Sequence, residues 1–309
     1  MLFSVSFEVV NIYILISTPR LVQVFITILI IIAIVFLLLV KNKKTVEDAP
    51  LFFKVEWRII LTEKIPFYNG LITIEKTRFE TEILYFLNTV RITGVDTSID
   101  DTDKLLVAAS AIIPIFAFKN WRYTNIAEVL LYPSSFNKEY ETVGKDRKIL
   151  GMVGNGFMNR SVILSKPALH LGFANETDKH NTAIHEFVHL IDKSDGATDG
   201  IPENLLQKQY VIPWINLMAE NIAEINDGKS DIDPYGGTSK AEFFAVVGEY
   251  FFERPQLLKT KHPQLYTLLK HIFKTDTAQN LLQGKNKVGR NEVCSCNSGK
   301  KFKNCCGKK

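Results

Sequence analysis

No cysteine occurs before Cys294, so no disulfide or thiolate metal cage can hold the first 293 residues together. All four cysteines fall between Cys294 and Cys306. The long middle of the chain also lacks a net positive charge. Residues 1–44 carry a net of +3 and residues 285–309 a net of +7, so the whole-chain +4 leaves −6 for residues 45–284. That acidic balance argues against a nucleic-acid groove in the central part of the chain. Internal repeats and low-complexity segments are absent as well, which excludes solenoids and arrays. What is present is ample core material, with 21 Phe in 309 residues, enough for one sizeable globular domain.

One run is far more apolar than the rest. Positions 21–40 read LVQVFITILIIIAIVFLLLV, with Gln23 and Thr27 as the polar residues. As a helix this run covers about 30 Å, so a transmembrane helix over 21–40 is expected. Lys41, Lys43 and Lys44 follow it and Arg20 precedes it. By the positive-inside rule the expected localisation is a single pass through the inner (cytoplasmic) membrane, with everything after the helix in the cytoplasm. Residues 1–20 form a separate N-terminal segment, and residues 41–50 read as a polar linker ending at Pro50.

Beyond the linker, apolar periodicity predicts helices over 51–63, 77–89, 101–114, 182–193, 214–226, 239–253 and 263–273. Strands are expected at 129–132 and 161–165, with a Gly-rich stretch at 151–156 between them. Strands in the middle and helices late predict an α+β domain over 51–280. A linker at 281–290 and a cysteine tail at 291–309 complete the organisation.

The chemistry gathers at His185-Glu186-Phe187-Val188-His189, an HExxH motif. Positions i and i+4 share one helical face, so both imidazoles reach a single ion, and Glu186 stands beside them as general base toward a zinc-bound water. Asn181 or Thr182 can cap this helix, while Ile184, Phe187, Val188 and Ile191 can face the core. A chance HExxH on an amphipathic helix is expected on the order of one time in a hundred at ordinary His and Glu content. His170, His180, His262 and His271 show no ligand spacing and read as surface or core residues.

A catalytic zinc needs a third protein ligand. Glu242, early on an apolar helix, is the best candidate, because a buried carboxylate there needs a partner; an N-terminal helix acid favoured by the dipole is an equally good bland reading. Glu249, one heptad on, is the fallback. Asp192, three residues after His189, is expected to orient an imidazole from outside the ligand set.

The stretches HEFVHLID and DPYGGTSKAEFFAVVGEYFF resemble the Mlc titration factor A family of bacterial zinc peptidases, and more distantly the catalytic domain of anthrax lethal factor. Family-like stretches extend the resemblance over roughly residues 55–275: PFYNGL, LLVAASAIIPIFAF at 105–118, EVLLYPSSF at 128–136 and VILSKPAL at 162–169. The resemblance implies a zincin-like fold, a catalytic zinc on His185, His189 and Glu242, and Tyr235 as hydrogen-bond donor to an oxyanion. It further implies an extended peptide added to a sheet edge near 162–165. The implied substrate is a peptide or protein, cut by endo- or aminopeptidase action. Because the family's best-known member is associated with a glucose repressor, a transcriptional regulator is the alternative partner. Ile191 stands where the family usually has leucine, a conservative departure.

The tail, GRNEVCSCNSGKKFKNCCGKK, places four cysteines on a Lys- and Gly-rich segment that cannot build a core of its own. It resembles the SEC-C motif known from the SecA translocation ATPase. The resemblance implies a structural zinc on Cys294, Cys296, Cys305 and Cys306, and a chaperone or translocon partner. A pair of disulfides is the competing reading in an oxidising compartment.

Overall fold

The computed structural model describes residues 20–41, 52–174, 179–279 and 298–305. The chain divides into two compact units, Met1–Glu47 and Asp48–Lys309. In the first, helix α1 spans Arg20–Lys41. The expected transmembrane anchor over 21–40 is corrected: among the described residues no helix is long and apolar enough to cross a membrane. The single-pass inner-membrane localisation, and the membrane as a partner, fall with it. The segment 1–19 and positions 42–51 lie outside the described residues.

In the second unit, helices α2 (Val55–Lys64) and α3 (Thr73–Thr89) lead into strand β1 (Arg91–Gly94). Helix α4 (Asp101–Ile115) then crosses to β2 (Glu128–Tyr132). Strands β3 (Gly151–Val153) and β4 (Ser161–Ser165) follow. The chain ends its folded part in six helices: α5 (Lys166–Ala174), α6 (Thr182–Asp192), α7 (Lys208–Asn226), α8 (Lys240–Glu253), α9 (Pro255–Lys261) and α10 (Pro263–Phe273). Asp100 caps α4, accepting from the Asp103 amide at 2.9 Å, and Asp103 accepts in return from the Asp100 amide at 2.8 Å. Pro114 lies inside this helix, which runs on to Ile115.

The sheet corrects the expected α+β class. Its order is β1-β2-β4-β3, with β1–β2 and β2–β4 parallel and β3–β4 antiparallel. Parallel neighbours need a crossover between them, and α4 supplies one, so helices interleave with strands. The architecture is mixed α/β with a small sheet. Strands β1 and β3 escaped the periodicity because four and three residues are too few to show an alternation.

Alternation along β4 sorts the two faces of the sheet. Val162 and Leu164 enter the main core with α4 and α6, whereas Ile163 joins Tyr132 and Phe136 in a smaller cluster beneath the other face. Because β4 is paired on both sides, the expected peptide-accepting edge near 162–165 is also corrected. The edge strand on this side of the sheet is β3. Amides of Gly154 and Ser165 bond to the carbonyls of Ser161 and Leu150, so by antiparallel alternation the backbone groups of Gly151 and Val153 point away from β4.

Helix α6 runs through the centre of the core. Asn181 caps it, accepting from the Ile184 amide at 3.1 Å. Ile184, Phe187, Val188 and Ile191 are all buried, each stabilising the fold by about 2 kcal/mol. Helix α8 lies against α6, and Gly248 permits the close approach: a Cβ there would meet Val188 Cγ2 at 3.0 Å. This contact brings the Glu242 and Glu249 face of α8 up to the imidazoles of α6.

Candidate metal centre

Three side-chain atoms converge at the crossing of α6 and α8. His185 Nε2 lies 3.0 Å from His189 Nε2 and 3.0 Å from Glu242 Oε2, and His189 Nε2 lies 3.1 Å from the same oxygen. Two imidazoles reach one point because they stand one helical turn apart on α6. Glu242 reaches it from the first turn of α8, where Ser239 caps the helix by accepting from the Glu242 amide at 3.1 Å. Ligand atoms bound tetrahedrally at about 2 Å stand about 3.3 Å apart. A triangle of this size therefore accommodates one such ion. Among the described residues this is the group of His, Cys, Asp or Glu side chains so arranged.

The surroundings are set for a cation. Glu186 is buried beside the triangle, and burial pushes its carboxyl up, partly offset by the two histidines. Glu249, the alternative third ligand, sits on the far side of the ring: its Oε1 is 2.5 Å from His185 Nδ1. Its other oxygen accepts the Asn181 amide at 2.7 Å, and Asn181 Nδ2 donates to Glu253 Oε1 at 3.0 Å and to the Gly172 carbonyl at 3.2 Å. The ring of His185 is thus clamped with Nε2 aimed into the triangle, as metal-binding histidines commonly are. Burial alone would raise the Glu242 carboxyl, but hydrogen bonds from His185 and His189 hold it well below the usual range. Three carboxylates around two imidazoles leave an excess of negative charge in a largely buried place.

Tyr235 stands at the mouth of the site, half exposed, its ring 6.0 Å from that of His185. Burial and the nearby Glu242 carboxylate push its hydroxyl up to about 12. Asp233 shapes its loop by accepting the Tyr235 amide at 2.7 Å. Asp192 is fully buried but turns to the following loop, accepting from the Gly200 amide at 2.9 Å. Its Oδ1 has no hydrogen-bond partner among the described residues, and burial pushes this carboxyl up to about 6.

His185, Glu186, His189, Tyr235 and Glu242 line one open cleft of about 510 Å³, together with β3, Asn155, Lys138 and Lys193. The strand passes so close that a Cβ at Gly151 would stand 2.6 Å from Glu186 Oε1. Sequence reasoning missed β3 and the lysines; the Gly-rich stretch at 151–156 reads in the sequence as a break between strands, although glycine in a strand also marks a close backbone approach. In the tail, Cys305 Sγ lies 3.1 Å from Ser298 Oγ, while Cys294, Cys296 and Cys306 lie outside the described residues.

Residues 38–274 match the family described as Glucose-regulated metallo-peptidase M90. Residues 290–308 match the SEC-C motif. An uncharacterized protein of Synechocystis sp. is 29% identical over 228 residues, which cover 70% of this chain and 82% of the relative. A protein named Mlc titration factor A from Escherichia fergusonii is 29% identical over 216 residues, 65% of this chain and 80% of that one. Its namesake from Pectobacterium atrosepticum is 26% identical over 190 residues, 57% and 69% respectively.

Proposed function

The chain belongs to the glucose-regulated metallo-peptidase M90 family and ends in a SEC-C motif, and from that premise we propose that it is a zinc-dependent peptidase acting on peptides or proteins. The observation that carries this reading is the convergence of His185, His189 and Glu242 beside a buried Glu186 in an open cleft. Two imidazoles and one carboxylate suit zinc and leave room for a further ligand. Zinc bound there would supply Lewis-acid polarisation of a water and of the scissile carbonyl.

The chain's own side chains do the rest. The Glu186 carboxylate takes the proton of the attacking water and delivers it to the leaving amine; its raised pKa suits both halves of that task. Tyr235, kept protonated by its raised pKa, donates its hydroxyl to the oxyanion. Glu249 and Asn181 hold the His185 ring in its tautomer and direction. The outward backbone groups of Gly151 and Val153 pair with an extended peptide laid across the cleft. Residues 51–280 form the peptidase domain, 281–290 a linker and 291–309 the tail, where Cys294, Cys296, Cys305 and Cys306 hold a second, structural zinc. Glu186→Gln is expected to keep the metal of the cleft and to lower hydrolysis of a peptide library by roughly a thousand-fold. Unchanged turnover would sink the proposal.

The name Mlc titration factor A carried by two relatives favours a second reading, in which the chain captures a transcriptional repressor, or serves as a chaperone or translocon adaptor, without cleavage. Full biological activity of the Glu186→Gln chain would favour capture over catalysis.

A further inference from the structure

The cleft carries two positive charges for which peptide hydrolysis by the residues above has no use. Lys193 and Lys138 line it together with Gly151, Met152, Val153 and Asn155. Lys193 follows the last residue of α6, one turn beyond His189. Its ammonium donates to Asn155 Oδ1 at 2.9 Å and to the Gly154 carbonyl at 3.3 Å, with Asn159 Oδ1 at 3.5 Å. All three acceptors are uncharged. The nearest bland account is a tether: a cation at a helix C-terminus is favourable in itself, and this one pins the turn after β3.

A tether explains the position of Lys193 but not the electrostatics of the cleft. Residues 45–284 carry a net of −6, so acidic ligands are repelled by the domain as a whole. Yet the charged residues lining the cleft, apart from Glu186 and Glu242, are both lysines. Lys193 is partly buried and Lys138 exposed. A partly desolvated ammonium seated on neutral acceptors gains from a carboxylate that completes it, since charge-assisted bonds are about twice as strong as neutral ones. Both lysines border the same groove as β3, along which a peptide would lie.

We propose that the cleft selects peptides that carry a carboxylate near the bond to be cut, held by Lys193 with Lys138 assisting. This rests on the peptidase reading and names its substrate class. An acidic side chain and a free C-terminus both supply such a carboxylate, and the two sources share one chemistry.

Three labelled peptides of equal length separate the outcomes: a neutral amidated one, the same with one Glu and an amidated end, and the neutral one with a free carboxylate. Binding to the full-length Glu186→Gln chain is read by fluorescence anisotropy. The expected result is roughly ten-fold tighter binding of one carboxylate peptide or both, the arm that responds identifying the source. Adding Lys193→Gln and Lys138→Gln should abolish the preference while leaving the neutral peptide within about two-fold; Lys193→Arg should preserve it. Equal affinities for all three peptides overturn the proposal. So does an equal loss for all three in the lysine variants, which would leave Lys193 a tether. If the preference holds but the unmutated chain cleaves none of them, the peptidase reading falls and this inference stands. If the unmutated chain cleaves all three at equal kcat/KM, the inference falls and the peptidase reading stands.

Discussion

Two clusters in this molecule are built from the same kinds of side chain and come to opposite ends. At Glu242, a carboxylate meets His185 and His189, with a tyrosine nearby. At Asp231, a carboxylate meets His262 at 2.7 Å, the Tyr250 hydroxyl at 2.9 Å, and Lys179 and Lys261 at 3.0 and 3.2 Å. Both carboxyls are held well below their usual range by such donors, against the opposing effect of burial. The difference is which sign is in excess. Donors close around Asp231, where one anion serves two lysines, a histidine and a tyrosine. Around His185 the acids outnumber the imidazoles, and two ring nitrogens face each other at 3.0 Å. A carboxylate ringed by cationic donors is a lock; carboxylates in excess of their donors make a seat for a cation.

Glu242→Gln tests the seat most severely. Removing one of three ligand atoms should weaken zinc binding by more than about a hundred-fold, beyond the 10- to 100-fold expected for groups outside a ligand set. Metal content of the purified chain by atomic absorption checks this, and an unchanged content would show that the triangle is not where metal sits. Next comes Gly151→Ala. The added methyl group meets both Glu186 and Thr182 within 2.7 Å, and because the Glu186 carbon skeleton and the strand are both buried or paired, the general base must move. A displacement of about 1 Å costs on the order of a hundred-fold in kcat, with metal content unchanged. Loss of metal instead would mean that the strand holds the ligands rather than the base.

Glu249→Gln asks whether the clamp matters as much as the ligands. It keeps a hydrogen-bond acceptor for His185 Nδ1 but removes a charge, so zinc affinity should fall by roughly 10- to 100-fold while the fold persists. A chelator competition measures it. An effect as large as that of Glu242→Gln would make Glu249 a ligand and not an orienting group.

How much of this was legible in the sequence follows from distance along the chain. The α6 half of the triangle is local: residues four apart, a capping Asn181 and an apolar stripe place both imidazoles without any tertiary knowledge. Glu242 and Glu249 are seven residues apart on one face of α8, so the pattern marks both and puts Glu242 first only for its place early in the helix. The crossing of two helices at Gly248 decides which oxygen meets Nε2 and which meets Nδ1, and a crossing is not written in either helix alone. Asp192 shows the same limit from the other side. Its spacing from His189 pointed at an imidazole, yet its carboxylate accepts from the Gly200 amide. Strand β3 was illegible for another reason: three residues carry no period, and only pairing with β4 makes Gly-Met-Val a strand.

Asp231→Asn is the smallest change and the one that tests the lock. Its carboxylate is about a quarter exposed, so the four donors should supply about 1–2 kcal/mol at neutral pH after screening. That corresponds to a lowering of Tm by a few degrees for a domain of this size. The sign with pH is fixed by the depressed carboxyl. A group whose folded pKa lies below its unfolded value stabilises fully above the unfolded value, about 3.9, and the contribution is lost as pH falls below it. The gap in stability between the unmutated chain and Asp231→Asn should therefore be constant from pH 7 down to about 5 and narrow below about 4. Zinc affinity should not change, because none of the metal-binding atoms is a partner of Asp231. Should metal content fall with the lock, the Asp231 cluster would be part of the seat, transmitted through the loop that runs from Asp231 to Tyr235, and the two clusters would have to be treated as one.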